Sequence, residues 1–380
     1  MGRSSSTLCW SEWTVAFVYE NPASFIMQDL RILSRTFRVI PVQWAGAVSI
    51  VKIFLAVLHS HVVFVWWVTG RAATTAFVFA KALRKTTVFV AGGSEVGVDR
   101  DIHGRDPRSA IRFVLAKIII RFVDCVIPVS EFTLREVLAI SAPKRYRVVH
   151  HAIDTGRFTY NHIFRKERNI ITVAMGQSWR KGLDRYAKLS QILPSFNFYV
   201  IGSASSDASC RNLFPPKMCA GRVSEDELIS LYQKATFYCQ LSRHEGFGVA
   251  VAEAMACECV PVVSDCGALP EVVGNTGIVV PNGDPLVAAQ LIPESLARTR
   301  LLGLSARKRI LSKFSIERRS CDLRNVIFTL IMAKKPNNRP DLTCSSPRPS
   351  KPAWNEHSGN STLSKTTCFW SFDVYPYGSD

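Results

Sequence analysis

The sequence is short of acidic residues and has no pattern that assigns a function at first sight. Its 380 residues contain 30 Asp and Glu against 47 Lys and Arg, which gives a formal net charge of +17 at pH 7. A surplus of this size predicts an anionic partner: nucleic acid, a lipid surface or a phosphate-bearing small molecule. Because no Lys- and Arg-rich run is interleaved with aromatic residues, we do not predict nucleic acid as that partner.

The cysteines lack the spacing of a metal site. There are 11 of them and none forms a CxxC pair. Their odd number and scattered positions are typical of reduced thiols, so we predict a cytoplasmic protein. Residues 1–7 are polar and lack the apolar segment of a secretory signal.

An unbroken apolar run long enough to cross a membrane is also missing. The most apolar stretch, 45–68, is interrupted by Lys52 and two histidines, whereas a spanning helix needs about 20 predominantly apolar residues. We interpret this stretch as a helix at about 48–58 followed by a buried strand at about 62–67.

Short apolar strands alternate with helical stretches through both halves of the chain. The strands are nearly continuous apolar runs, which is typical of a parallel sheet covered on both faces. We therefore predict two doubly wound α/β domains, and the last strand predicted in the first half is Tyr146–His150. The predicted divisions are 1–163 and 164–315 for the two domains, 316–334 for a final helix, and 335–380 for a disordered tail rich in Pro, Ser and Asn.

The segment that says most about chemistry is Ser242–Met255, where a glycine-bearing loop joins a strand to an Ala-rich helix. Gly246 and Gly248 have no side chains, so backbone amides at the amino end of the helix can approach an anion such as a diphosphate. Glu245 lies in the loop, and Glu253 lies about a turn and a half into the helix. Two carboxylates so placed can accept hydrogen bonds from hydroxyls on either side of the phosphates, as in dinucleotide sites.

Several motifs around this segment resemble one enzyme family. HEGFGVAVAEAMA is followed by PVVSDCGALPEVV and TGIVVPNGDP, and is preceded by RKGLD and GRVSEDELISLYQKA. Together with VSE and HHAIDTGRF in the first half, they resemble the family 4 glycosyltransferases, most strongly over 170–285. The resemblance implies the GT-B fold, in which two Rossmann-like domains face a cleft and the last helix returns to the first domain. It also implies transfer of a hexose from a UDP- or GDP-sugar to a hydroxyl of a glycan, lipid-linked or small-molecule acceptor. Retention of anomeric configuration, without a metal or other cofactor, is implied as well.

The resemblance assigns roles to individual positions. Glu245 would contact the transferred sugar, while Lys181 and Arg180 would offset the charge of the departing diphosphate. Glu253 would bind the ribose. The remaining donor contacts would come from one loop and one further helix start: His244, Gly246, Phe247, Gly248, Gly267, Ala268 and Leu269. On the acceptor side we predict only His103 and Glu95, from polar loops of the first domain.

Other interpretations stay open. Gln177 follows Gly176 where the family often has arginine, so a relative that binds nucleotide sugars without transferring them is an alternative function, and phosphorolysis or epimerisation on the same fold is another. Asp99-Arg-Asp101 mimics the DxD motif of metal-dependent sugar transferases but lacks its fold context. We interpret His150 and His151 as structural. A set of basic residues is either solvated or attaches the protein to anionic lipid at the membrane periphery: Arg105, Arg108, Arg112, Lys117 and Arg121.

Overall fold

A computed structural model provides the coordinates. It describes residues 12–93, 95–97, 107–161, 167–174, 179–202 and 212–334, without the side chains of 107–110. The described residues as far as Ile331 form one compact unit, which contains both sheets. The tail 335–380, predicted to be disordered, lies outside the described residues.

The first half folds as a parallel sheet of five strands in the order β2-β1-β3-β4-β5. Its strands are β1 (Thr14–Tyr19), β2 (Arg38–Gln43), β3 (Val62–Trp66), β4 (Thr86–Ala91) and β5 (Cys125–Pro128). The helices that connect and follow them are α1 (Ser24–Ser34), α2 (Val48–Leu58), α3 (Arg71–Ala82), α4 (Pro107–Phe122) and α5 (Glu131–Ile140). Every residue of β1, β3, β4 and β5 is buried, as expected for apolar strands with helices on both faces.

The second half contains a parallel sheet of six strands in the order β11-β10-β9-β6-β7-β8. The strands are β6 (Glu167–Val173), β7 (Asn197–Ile201), β8 (Cys219–Gly221), β9 (Ala235–Gln240), β10 (Val260–Ser264) and β11 (Ile278–Val280). The helices are α6 (Leu183–Ile192), α7 (Glu225–Lys234), α8 (Val249–Ala256), α9 (Leu269–Val273), α10 (Pro285–Ser295), α11 (Thr299–Lys313) and α12 (Ile316–Ala333). Short 3₁₀ turns at Pro216–Met218, Pro281–Gly283 and Leu296–Arg298 complete the described elements.

Each sheet is covered on both faces. In the first sheet, α2, α3 and α4 bury apolar side chains against one face, and α1 and α12 pack into the core on the other face. In the second sheet, α6 and α10 share one core, while α8, α9 and α11 contribute to the core that continues into the first domain. The predicted fold class, two doubly wound α/β domains, is confirmed.

The last described helix, α12, is joined to the first helix, α1, by a buried ion pair. The guanidinium of Arg319 binds the Asp29 carboxylate through Nε at 2.6 Å and Nη2 at 2.7 Å, and both side chains are fully buried. The indole of Trp66 donates to the same carboxylate at 3.1 Å. Asp29 therefore links α12 to the first sheet.

The strand predicted at Tyr146–His150 is not formed. This stretch follows β5, with hydrogen bonds such as Val149 N to Pro128 O at 3.0 Å, but it makes only an isolated bridge at Tyr146. Arg319 Nη1 donates to the carbonyls of Val149 and His150, at 2.8 and 2.5 Å. The ladder ends after the Tyr146 bridge because Pro128, the next residue of β5 that would donate to this stretch, has no N–H.

The apolar stretch 45–68 forms α2 and β3, as predicted. Among the described helices, none is both long and apolar enough to cross a membrane.

Candidate functional site

The candidate site lies where the order of strands in the second sheet reverses. From β6 the chain builds outward through β7 and β8, then returns to β9 on the other side of β6. The carboxyl ends of β6 and β9 therefore flank a crevice, which is where open α/β sheets bind ligands. The Arg180–Lys181 loop follows β6 and the Glu245 loop follows β9, so the topology brings the two predicted loops together.

Helix α8 begins at this crevice with its amino end uncapped by any side chain. Its N-cap is Gly248, with φ of 96°, a conformation that favours glycine. The amides of the first helical turn have no partner within a helix, and together with the helix dipole they attract anions. This end of α8 has the chemistry that a diphosphate requires.

Glu245 and Lys181 form an ion pair beside that helix end. Lys181 Nζ lies 2.5 Å from Glu245 Oε2, and both side chains are largely buried. Burial alone would raise the pKa of Glu245. The charge and hydrogen bond of Lys181, with the charges of Arg180 and His244, outweigh burial and hold the pKa below its ordinary value. Glu245 is therefore an ionised acceptor at neutral pH.

Glu245 is also held from inside the core, by residues that the sequence analysis missed. Gln240 Nε2 donates to Glu245 Oε2 at 2.6 Å and to Ser242 Oγ at 3.0 Å. The amide oxygen of Gln240 accepts from the Tyr238 hydroxyl at 2.9 Å. Tyr238 and Gln240 alternate along β9 and point to one face, so a polar pair at spacing two inside a buried strand was the available signal.

The loop that carries Arg180 and Lys181 is fixed by Arg243. The Arg243 guanidinium binds both carboxylate oxygens of Asp184, at 2.8 and 2.7 Å, and stacks 4.7 Å from the centre of the Trp179 ring. The backbone amide of Arg243 also donates to Arg180 O at 2.8 Å. Arg180 Nε is buried and has no hydrogen-bond partner in the described structure. A bound anion would provide one.

Glu253 lies half-buried on α8, next to a tyrosine-rich interior. Burial, with the nearby charge of Glu225, raises its pKa to about 8, although a hydrogen bond with Tyr232 opposes the shift. Burial followed by the charges of Glu245 and Glu253 raises the pKa of Tyr238. The two predicted carboxylates therefore act on the same buried phenol.

The segment at the start of α9 shapes the Glu245 loop. The Ala268 amide donates to the carbonyl of Glu245 at 2.8 Å. A Cβ on Gly267 would overlap the Glu245 backbone, and Leu269 lies against Gly248. We predicted that Gly267, Ala268 and Leu269 contact the donor directly. Because the Ala268 amide already donates to Glu245, the structure favours a role for Ala268 in holding the Glu245 loop in place rather than in contacting the donor.

The first domain contacts the same loop. Ser130 Oγ and Thr133 Oγ1, at the start of α5, donate to the carbonyl of Gly246 at 2.7 and 3.1 Å. His244 Nε2 lies 2.7 Å from Glu136 Oε1 on α5. Gly93 packs so closely on Gly246 that a Cβ on either glycine would overlap the other backbone.

A second contact between the domains involves Glu271 on α9. Its carboxylate accepts hydrogen bonds from the amides of Glu131, at 3.0 Å, and Phe132, at 3.3 Å. His150 Nε2 lies 2.7 Å from Glu271 Oε1. His151 is buried and stacks on Trp66.

The acceptor side is only partly described. Glu95 Oε1 accepts from the Gly92 amide at 2.5 Å, and burial raises the pKa of Glu95 to about 7 against the effect of that bond. Its Oε2 is buried without a partner in the described structure. The predicted acceptor residue His103, Asp99 and Asp101 of the DxD-like motif, the Gly176–Gln177 departure and Arg105 lie outside the described residues, as does the side chain of Arg108. Within the part of the chain that is described, no group of three or more His, Cys, Asp or Glu side chains has the arrangement of a metal site.

Comparison with known proteins agrees with the geometry. Residues 167–297 match the family model of the group 1 glycosyl transferases. A GDP-mannose:cellobiosyl-diphosphopolyprenol alpha-mannosyltransferase of Xanthomonas campestris is 27% identical over 182 residues, which cover 44% of this chain and 48% of that enzyme. The chain thus matches about half the length of this curated relative.

Two solved structures share the fold. HepE of Anabaena in complex with UDP superposes with a TM-score of 0.68 at 12% identity, over 83% of this chain and 100% of that one. Sucrose-phosphate synthase of Thermosynechococcus elongatus superposes with a TM-score of 0.66 at 15% identity, over 84% of this chain and 100% of that one. Residues 167–297 are therefore similar to the group 1 glycosyl transferases, and the chain around them has the GT-B fold.

Proposed function

We propose that the protein is a glycosyltransferase that moves a hexose from a UDP- or GDP-sugar to a hydroxyl of a lipid-linked acceptor. The observation that carries the proposal is the Glu245–Lys181 pair, 2.5 Å apart, beside the uncapped amino end of α8. The match of residues 167–297 to the group 1 glycosyl transferase family model supports it. The lipid-linked acceptor is suggested by the diphosphopolyprenol substrate in the name of the Xanthomonas relative.

In this proposal the diphosphate binds at the amino end of α8, close to Lys181 and Arg180. The bond between the sugar C1 and the diphosphate oxygen breaks, and a bond from the acceptor oxygen to C1 forms on the same face. The acceptor proton passes to the diphosphate. Lys181, Arg180 and the helix amides stabilise the leaving charge, a role that needs no divalent metal. Glu245 orients the sugar through its hydroxyls, and Glu253 accepts from the ribose hydroxyls.

A panel of UDP- and GDP-sugars tests the proposal. The purified protein is incubated with each donor, with and without a polyprenyl diphosphate-linked sugar, and released nucleoside diphosphate is measured. Acceptor-dependent release from one donor is expected, and Glu245→Gln should reduce its rate. Donor binding with no release, with any acceptor, would favour the alternative that the protein binds nucleotide sugars without transferring them. No affinity for any donor would refute both.

A further inference from the structure

The outer surface of the first domain combines exposed apolar side chains with a single sign of charge. Helices α2, α3 and α4 form one layer on the same face of the first sheet, with their inner sides in a common core. Nineteen large apolar side chains are exposed among the described residues, and 12 of these lie on these three helices. They include Val48, Val51 and Ile111, with exposed fractions of 70%, 60% and 65%. We call this surface the α2–α4 face.

The α2–α4 face carries cations and no acid. The three helices contain seven Lys or Arg residues, and the whole segment 30–94 has no Asp or Glu. Lys52, Arg112, Lys117 and Arg121 are exposed among the apolar side chains. The sequence analysis placed the basic residues at Arg105 and along α4; the structure adds the cations of α2 and α3 to them.

A groove at the edge of this face has the same composition. A cavity of about 750 Å³ lies between β2 and α2. Cations line it at Arg38 and Lys52, and apolar side chains line it at Ile40 and Leu55. Such a groove suits an anionic headgroup attached to an apolar chain.

We propose that the α2–α4 face docks on an anionic lipid bilayer. Apolar side chains that enter the boundary of the acyl region, with cations at the level of the headgroups, are the features of an interfacial membrane surface. A second copy of the chain fits poorly, because two acid-free basic faces repel each other. Nucleic acid would leave the apolar side chains without a partner. The inference is independent of the proposed transferase activity, because lipid binding requires no donor.

Vesicle sedimentation with the full-length protein tests this inference. We expect binding to phosphatidylcholine vesicles that contain phosphatidylglycerol, little binding to pure phosphatidylcholine, and weaker binding as salt is raised. The variant Arg112→Gln/Lys117→Gln/Arg121→Gln should lose roughly fivefold in partitioning per charge removed. The variant Val51→Ser/Ile111→Ser/Val114→Ser keeps the charge and should also bind less.

Matched controls lie on exposed helix positions of the second domain. Leu286→Ser/Leu301→Ser/Leu304→Ser removes three exposed apolar side chains, and Arg298→Gln/Arg300→Gln/Lys308→Gln removes three exposed cations. Circular dichroism melts confirm that each variant is folded. Equal loss in the variants and their controls, or equal binding to both kinds of vesicle, would overturn the proposal. So would a dimer in light scattering that the Val51/Ile111/Val114 variant abolishes while vesicle binding stays intact. Turnover of a soluble acceptor is measured in parallel. It shows whether the proposed transferase activity is present when vesicle binding fails.

Discussion

Glu271, on a helix of the second domain, caps a helix of the first. Its carboxylate accepts hydrogen bonds from the Glu131 and Phe132 amides at the amino end of α5, where helix dipole and free amides favour a negative charge. Burial would raise the pKa of Glu271, but the His150 hydrogen bond and these amides lower it overall. Helix α5 also contacts the Glu245 loop, because Ser130 and Thr133 donate to the Gly246 carbonyl. The contact between the two domains and the position of the Glu245 loop therefore both depend on α5.

Replacement of this cap should loosen the domains. Glu271→Gln removes the charge that binds the α5 amides, so the free energy of unfolding should fall by about 1.5–3 kcal/mol. Small-angle scattering should show a larger radius of gyration, and the donor KM should rise. Because the pKa is lowered in the folded state, the contribution of Glu271 is present above the unfolded value of 4.5 and is lost as pH falls through the folded value. Glu294→Gln, at an exposed position of α10, is the control and should change none of these three quantities.

Gln240 should act as a positioning residue for Glu245. Gln240→Leu removes the amide that donates to Glu245 Oε2, so the carboxylate is free to shift from its place. We expect kcat to fall about tenfold to hundredfold with a much smaller change in donor KM. Steady-state kinetics measures the changes in kcat and donor KM separately. Gln191→Leu, exposed on α6, serves as the matched variant, and parallel changes in kcat and KM for Gln240→Leu would contradict the positioning role.

Donor affinity should depend on the protonation of Glu253. Its pKa of about 8 means that the free protein carries a neutral carboxyl at pH 7, whereas a carboxylate accepts better from two ribose hydroxyls. The donor should therefore bind more tightly as pH rises towards 8, by up to about tenfold per unit. Calorimetry with a nucleotide sugar measures this, since its diphosphate does not titrate in that range. Glu253→Gln should bind with no such slope; a slope that persists would rule out the ribose role.

The same group predicts a dependence of stability on pH. The folded state keeps a proton on Glu253 between the ordinary value of 4.5 and about 8, and the unfolded chain does not. The stabilising contribution of this proton is therefore complete below 4.5 and is lost as pH rises through 8. Urea unfolding at several pH values should show this loss in the wild type and not in Glu253→Gln.

The buried pair of Asp29 and Arg319 should be costly to break. Arg319→Met leaves the Asp29 carboxylate buried without its cation, so the free energy of unfolding should drop by about 3–5 kcal/mol. The neighbouring Arg318 is exposed, and Arg318→Met should change it by less than about 0.5 kcal/mol. The double variant Asp29→Asn/Arg319→Met should recover part of the loss. Equal effects of the two single arginine variants in urea unfolding would contradict this assignment.

Much of the fold follows from local sequence patterns. The buried strands β3 and β10 are continuous apolar runs, and α8 follows from its Ala-rich segment after Gly248. The strand expected at Tyr146–His150 failed because it lies beside β5, whose Pro128 has no N–H to continue the ladder. Which strand lies beside a given stretch is not encoded in any local period.

The loops of the candidate site could be predicted from the sequence, but the residues that hold those loops in place could not. Glu245, Lys181 and the glycines are motif residues of adjacent loops, whose proximity follows from the reversal of strand order. The contacts of Glu136 with His244 and of Glu271 with Glu131 join residues 108 and 140 positions apart. Spacing alone carries no signal for such pairs, because they depend on how two separate sheets meet.

The position of Arg319 has a consequence for synthesis on the ribosome. Asp29 emerges 290 residues before its partner, an interval of roughly 15 to 60 s at ordinary elongation rates. For that time the nascent first sheet holds an uncompensated charge at the centre of its helix layer. Its final consolidation must therefore wait for translation of the segment that contains α12, and a fragment that ends at the domain junction is a poor candidate for expression on its own.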